Sequence, residues 1–284
     1  MEKRVPFVKG HGTQNDFVLL PDPDGLLLPD LDAATVRRLT DRHTGLAADG
    51  VIRVVRSAAL DEDADLLADA EWFMDYRNAD GSVAEMCGNG VRVMARYLWS
   101  AGLAHGRELP IGTRGGLRLV HAESDLLYTV DMGRPEAMPT SGPVRVTARR
   151  AVFEAVAIRA PNPHAVVFVD DLGLVGPLVE APAVEPASVF PDGANVEFVE
   201  NQGGSHIALR VWERGVGETR SCGTGVCAAA WATMRRDGSL PGSSYTVDVP
   251  GGRLVVTERD DGTLLLTGPA ELGVAGEIDL DQLG

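Results

Sequence analysis

Cys87 and Cys222, 135 residues apart, each open a version of one phrase: Cys87-Gly88-Asn89-Gly90-Val91-Arg92 and Cys222-Gly223-Thr224-Gly225-Val226-Cys227. The agreement continues downstream. Thr113-Arg114-Gly115-Gly116-Leu117 is answered by Val249-Pro250-Gly251-Gly252-Arg253, and Gly133-Arg134-Pro135-Glu136 by Gly268-Pro269-Ala270-Glu271, at offsets of 134–136 residues. Upstream, Asn15-Asp16-Phe17 aligns with Asn162-Pro163-His164 at an offset of 147. A period sustained over this length makes the chain a tandem of two similar domains, each of ordinary domain size. Whatever one half folds into, the other must reproduce.

The strand-like runs are rich in β-branched residues and bounded by Gly, Pro, Asn and Asp. In the first half they are Val5–Val8, Phe17–Leu20, Val51–Val55, Trp72–Tyr76, Leu117–Val120 and Leu127–Asp131. In the second they are Ala151–Ile158, Ala165–Val169, Val196–Val199, Ile207–Trp212, Tyr245–Val249, Leu254–Thr257 and Leu264–Thr267. Asp260-Asp261-Gly262-Thr263 reads as a hairpin turn. One helix is expected over Asp32–His43, with Asp32 as N-cap. Two more follow the cysteines, Val91–Ala101 before Gly102 and Val226–Asp237 before Gly238. The second is apolar nearly all round and therefore buried. Each half reads as a curved sheet wrapped around one central helix, with a cysteine at the helix N-terminus. The segment Pro177–Pro191, with four prolines, reads as an irregular surface excursion, and Ala58–Ala70 as a solvated acidic stretch rather than a metal loop.

Composition narrows the chemistry. The net charge of −15 and the lack of a basic run argue against a nucleic-acid partner. No apolar run approaches a membrane span and no secretory h-region opens the chain, so a cytoplasmic location is expected. Three cysteines without a Cys-x-x-Cys pair disfavour a disulfide framework or a zinc site, and no metal is expected. Lys3 and Lys9 are the sole lysines beside 24 arginines, poor candidates for a pyridoxal phosphate Schiff base. No dinucleotide or P-loop motif occurs. The expectation is chemistry without a cofactor.

A thiol at a helix N-terminus sits where free N–H groups favour its anion, and the flanking glycines let a ligand carboxylate approach those groups. Two such sites suit inversion at the carbon next to a carboxylate: one thiolate removes the α-proton, and the opposite thiol returns one to the other face. The expectation is that the two sulfurs approach one another across the cleft between the halves. A cysteine hydrolase with His164 or His11 as base is the competing reading, but it leaves the second, equivalent thiol unexplained. Cys227, without a glycine cradle of its own, reads as structural. Asn15, Asn78, Asn162 and Asn195 lie at strand ends or turns, where asparagine is a turn former as readily as a ligand group. Glu213-Arg214 reads either as a surface ion pair or as a site for an ammonium and a carboxylate.

These phrases together resemble the diaminopimelate epimerase family over Phe7 to about Glu271. The matching segments are Gly10-His11-Gly12-Thr13-Gln14-Asn15-Asp16-Phe17, Asn78-Ala79-Asp80-Gly81-Ser82, Met86 through Arg92, Pro161-Asn162-Pro163-His164, Gly193 through Phe198, and Trp212 through Gly225. The resemblance implies an α+β fold of two similar domains, 1–132 and 133–266, each a β-barrel-like sheet around a central helix. Residues 267–284 would pack back onto the first. It implies cofactor-independent interconversion of LL- and meso-2,6-diaminopimelate in lysine and cell-wall precursor synthesis, by a homodimer. Cys87 and Cys222 would be the two bases, and Gly88, Asn89, Gly223 and Thr224 would donate to the reacting carboxylate. Asn15, Asn78, Asn162, Asn195, Glu213 and Arg214 would hold the remaining amino and carboxylate groups, with His164 in support. Proline racemases and hydroxyproline epimerases usually carry histidine where Asn89 stands and lack Glu213-Arg214; phenazine-type isomerases replace the first cysteine with an acid. The chain departs from the family in Gly45–Gly50. Ala47 replaces a glycine there, and Gly50 stands where many members have a substrate-contacting glutamine.

Overall fold

The computed structural model describes residues 4–28, 31–60 and 69–282. Most of the acidic stretch, residues 61–68, lies outside the described residues, as does Lys3. Two compact units divide the chain, Met1–Val130 with Pro269–Gly284, and the continuous segment Asp131–Gly268.

In the first unit, strand Arg4–Gly12 turns back on Asn15–Pro21, which lies parallel to Gly50–Arg56; that strand pairs antiparallel with Trp72–Asn78. Trp72–Asn78 is parallel to Glu108–Gly112, and antiparallel pairing continues through Arg118–Ala122 to Leu127–Gly133. The second unit repeats this order of connections. Ala151–Ala160 pairs antiparallel with Asn162–Val169, which is parallel to Asn195–Asn201; His206–Glu213 follows antiparallel. Ser244–Val249 is parallel to His206–Glu213, and Gly252–Glu258 and Leu264–Pro269 complete the run. The architecture is α+β, mixed sheet with few helices.

Helix α1 (Ala33–Thr40) begins at Asp32, whose carboxylate accepts the Thr35 N–H at 2.6 Å. It buries Val36 and Leu39 against Val51, Val18 and Leu20. Helices α2 (Gly88–Ser100) and α3 (Gly223–Asp237) are the centres of their units, each packed by strands on several sides. Small residues make this possible in α3, where Ala228, Ala229 and Ala230 are all fully buried. Glycine closes α3: Gly238 adopts φ +66°, and Ser239 N–H reaches back to the Met234 carbonyl at 2.9 Å.

The structure differs from expectation at several points. Both central helices start three residues earlier than Val91 and Val226, so the cysteines are themselves the N-caps, with extended backbone. The proline-rich excursion contains a short strand, Ala183–Glu185, held by Val144–Ala148. A strand with no sequence signal, Glu271–Asp279, runs antiparallel to Arg4–Gly12 from Arg4↔Asp279 to His11↔Glu271.

Candidate active site

In the first unit the site is built around the first turn of α2. Cys87 is half-buried at its N-cap, and its thiol points to Asn15 Oδ1 at 3.7 Å. The same oxygen accepts from Asn89 Nδ2 at 3.1 Å. Asn89 is in turn fixed by the fully buried Arg92, whose Nη2 donates to Asn89 Oδ1 at 2.7 Å. Gly88 lies buried in the same turn and its carbonyl faces Arg92 Nη1. Asn15 follows a two-residue turn, Thr13 (φ +50°) and Gln14 (φ +60°), both left-handed without being glycine. Such backbone is costly for a β-branched residue and clusters at functional sites.

Asp49 was not singled out by sequence reasoning, yet it organises this group. Its carboxylate accepts from Asn15 Nδ2 at 2.9 Å, from Asp16 N–H at 3.1 Å and from Arg42 at 2.8 Å. Burial foremost raises this carboxyl above its ordinary range, with neighbouring Asp16 adding to the effect. Because the Asn15 amide donates to Asp49, its oxygen is the end left facing Cys87. Asp49 is held by the loop of residues 45–50, where Ala47 takes φ +55°. Lys9 pins that loop through the Leu46 and Ala47 carbonyls. The left-handed backbone at Ala47 is the physical reason a glycine suits this position. Asn78 ends its strand opposite Gly50, and its amide bonds Ser82 Oγ at 3.0 Å, a turn-forming contact.

In the second unit Cys222 is the buried N-cap of α3, and its sulfur lies 3.4 Å from Thr224 Oγ1. Gly223 and Thr224 form the buried first turn. Glu213 ends strand His206–Glu213 and accepts from the Thr219 hydroxyl. Asn195 Oδ1 accepts the Arg214 backbone N–H at 2.9 Å, and the exposed Arg214 guanidinium donates to the Asp192 carbonyl at 3.0 Å. Asn162 opens its strand at the hairpin from Ala160. His164, two residues on, is fully buried, with Nδ1 2.7 Å from Glu197 Oε1. Cys227 is buried on α3.

The electrostatics at Cys222 run against the sequence expectation of an acidified thiol. Burial, then Glu213, then Glu197 push it well above its ordinary value; Thr224 and the Gly225 N–H oppose them. A low-dielectric site disfavours any new anion, and two carboxylates disfavour it further. These outweigh the helix N-terminus, so Cys222 rests as a thiol. Glu197, like Asp49, was missed. Its signal was an acidic residue within the apolar run Val196, Phe198, Val199 of a strand buried along most of its length.

Comparison with known proteins places these sites in context. A family model described as diaminopimelate epimerase matches residues 7–138 and 156–273. The diaminopimelate epimerase of Streptomyces coelicolor is 54% identical over 98% of this chain and 97% of its own, and that of Thermobifida fusca 48% identical over 98% and 99%. Among solved structures, a hydroxyproline epimerase from Agrobacterium vitis superposes with a TM-score of 0.71 at 14% identity, covering 99% of this chain and 94% of that one. A Bacillus anthracis phenazine biosynthesis protein of the PhzF family superposes at 0.67 with 16% identity, covering 97% and 99%. The last two are likenesses of fold alone. Sequence matches of that identity and coverage show that the chain belongs to the diaminopimelate epimerase family.

Proposed function

We propose that this protein interconverts LL- and meso-2,6-diaminopimelate, serving lysine and cell-wall precursor synthesis in the cytoplasm, and that it acts as a homodimer on this small-molecule substrate without a cofactor. The observation that carries the reading is the matched pair of cysteine N-caps, one per repeat, in a chain whose relatives bear that name. Cys87 and Cys222 are the acid and base. One thiolate takes the α-hydrogen as a proton and becomes a thiol; the electron pair left on carbon is delocalised into the carboxylate. The other thiol delivers its proton to the opposite face and becomes the thiolate. N–H groups of Gly88, Asn89, Gly223 and Thr224 receive the growing charge, since preorganised donors act where charge develops.

Cys222, held protonated, is the proton donor in its resting state. For the reverse direction its proton must leave. A substrate ammonium seated against Glu213 cancels one of the two negative charges facing the sulfur, so substrate itself makes the thiolate accessible. Asn15, Asn78, Asn162, Asn195 and Arg214 bind the other polar groups of the substrate, and His164 supports Cys222 through Glu197.

The test is hydrogen exchange. In deuterated water LL-diaminopimelate should gain α-deuterium and yield the meso isomer, while L-proline and trans-4-hydroxyproline do not. Cys87→Ala and Cys222→Ala should each abolish interconversion. Turnover of the cyclic imino acids in preference to diaminopimelate would overturn the substrate assignment. Near-normal epimerisation by either alanine variant would overturn the two-base mechanism.

A further inference from the structure

Lys9 is the sole lysine among the described residues, in a chain whose basic positions are otherwise filled almost entirely by 24 arginines. Its surroundings account for the choice. Lys9 Nζ lies 3.0 Å from the Leu46 carbonyl and 2.8 Å from Asp16 Oδ2, and it also donates to the Ala47 carbonyl. The side chain is half-buried. An ammonium is a compact point with three donors, so one nitrogen serves three converging acceptors. A guanidinium spreads its donors over a planar fork and cannot bring three of them to one point.

The three acceptors come from two parts of the first unit. Asp16 lies on strand Asn15–Pro21, next to Asn15, whereas Leu46 and Ala47 belong to the loop that delivers Asp49. The loop's backbone donors are taken by the end of α1: the N–H groups of Leu46, Ala47 and Ala48 reach the carbonyls of Leu39, Asp41 and Thr40 at 2.7, 3.2 and 3.2 Å. Its carbonyls at 46 and 47 face the other way, and Lys9 meets both. Ala47, between them, takes φ +55°, a left-handed backbone disfavoured for a residue with a Cβ. The second unit makes the equivalent entry without such a cation. Gly50 and Asn195 open corresponding strands, opposite Phe17 and His164. The left-handed residue ahead of Asn195 is a glycine, Gly193 at φ +80°, which adopts such backbone readily. Lys9 lies opposite Val18 in its hairpin, and its counterpart Ala157 lies opposite Ala165. The lysine therefore accompanies the strained alanine, and a small apolar residue accompanies the glycine.

We propose that Lys9 is a positioning residue: its ammonium holds the strained loop of residues 45–48 against Asp16 and so fixes Asp49, which orients the Asn15 amide beside Cys87. The inference rests on the reading above in which Cys87 and Asn15 act on substrate. Asp49 N–H donates to the Asp16 carbonyl at 2.9 Å, and the Asp49 carboxylate accepts from Asn15 Nδ2 at 2.9 Å. Two carboxylates, Asp16 and Asp49, thus adjoin at the entrance to the site. Lys9 offsets the first and Arg42 the second. Without Lys9 the loop keeps its ties to α1. Its carbonyls at 46 and 47 lose their shared donor, the repulsion between the two carboxylates is no longer offset at Asp16, and Asp49 draws back from Asn15.

The experiment compares Lys9→Met and Lys9→Arg in the full chain, each with and without Ala47→Gly. Two quantities are measured: hydrogen exchange across residues 45–50 without substrate, and kcat/KM for LL-diaminopimelate. Both Lys9 variants should exchange faster across 45–50 while residues 131–268 keep wild-type protection. Their kcat/KM should fall about tenfold or more. Failure of arginine to rescue separates a three-donor point from a positive charge alone. Ala47→Gly removes the strain that Lys9 holds, so in that background the loss should be about fivefold smaller, the equivalent of ~1 kcal/mol. A residue that supports the unit in general would cost the same in both backgrounds. If Lys9→Met does not fold, Lys9→Arg decides by the same measurements. Wild-type exchange and kcat/KM in Lys9→Arg, or equal losses with and without Ala47→Gly, would overturn the proposal. The exchange measurement uses no diaminopimelate, so its failure is distinct from failure of the substrate assignment.

Discussion

Asn15 has one amide and two tasks, and Asp49 decides how they are divided. With its nitrogen committed to the Asp49 carboxylate, the oxygen faces Cys87 and Asn89. An oxygen in that place accepts from a thiol and repels a thiolate. Asp49→Asn removes the charge that fixes the amide, and epimerisation should fall by about tenfold or more with little change in melting temperature, since a hydrogen bond to a charged group contributes ~1.5–3 kcal/mol. Unchanged kcat/KM would show that Asn15 orients itself. Arg214 is exposed, its guanidinium held by the Asp192 carbonyl, so Arg214→Ala should leave folding intact while lowering kcat/KM for diaminopimelate roughly tenfold or more, by the same reasoning. L-lysine, lacking the second carboxylate, should be a poor substrate; efficient racemisation of L-lysine would refute recognition of both heads. The raised pKa of Cys222 also has a stability sign. Folding favours the thiol, so this contribution is fully present below the unfolded value near 9.0 and is lost as pH rises above it toward the folded value. Urea midpoints from about pH 8 to 10.5 should therefore decline more steeply for the wild type than for Cys222→Ala, and parallel declines would contradict the assignment.

Elements were legible where their own residues carry the signal. The Asp32 cap, the glycines after both central helices and the β-branched runs each act locally, and the structure places strands or helices over all of them. Elements held by their neighbours were not. Glu108–Gly112 contains Pro110, which removes a ladder donor and demotes a strand on sequence grounds. Glu271–Asp279 is largely exposed and carries Gly273 and Gly276, so it has no alternation to read; pairing with Arg4–Gly12 supplies its order. At the site, the cysteine cradles and the four asparagines at strand ends were visible as motifs. Asp49 meets Asn15, and Glu197 meets His164, across strands far apart in sequence; Asp49 carried no local signal, and Glu197 only that of an acidic residue in an apolar run. The helix stop gives the element-scale test. Gly238 holds left-handed backbone with nothing near its missing side chain, so Gly238→Ala meets no clash and should cost about 1–2 kcal/mol in urea unfolding from backbone strain alone, with activity retained. No loss would mean that the end of α3 relaxes freely.

At the scale of the whole molecule, repetition of one order of strand connections in both units makes the differences between them informative, because a shared scaffold isolates what each half adds. The final strand is the clearest asymmetry. It covers the outer edge of Arg4–Gly12 and packs against α2. Deleting residues 271–284 should expose that edge and strip α2 of one wall. Hydrogen exchange should then show loss of protection throughout residues 4–130, while 131–268 stays protected; uniform protection in both segments would show that the first unit stands without its last strand. The same arrangement orders events during synthesis. The segment 131–268 is continuous in sequence, whereas the unit translated first also includes residues 269–284, made after it. Contiguous domains generally fold as units in the order they emerge. Here the order is inverted: the half that is made first is the last to be completed, and the thiol at Cys87 gains its finished surroundings only after residues 269–279 have been made.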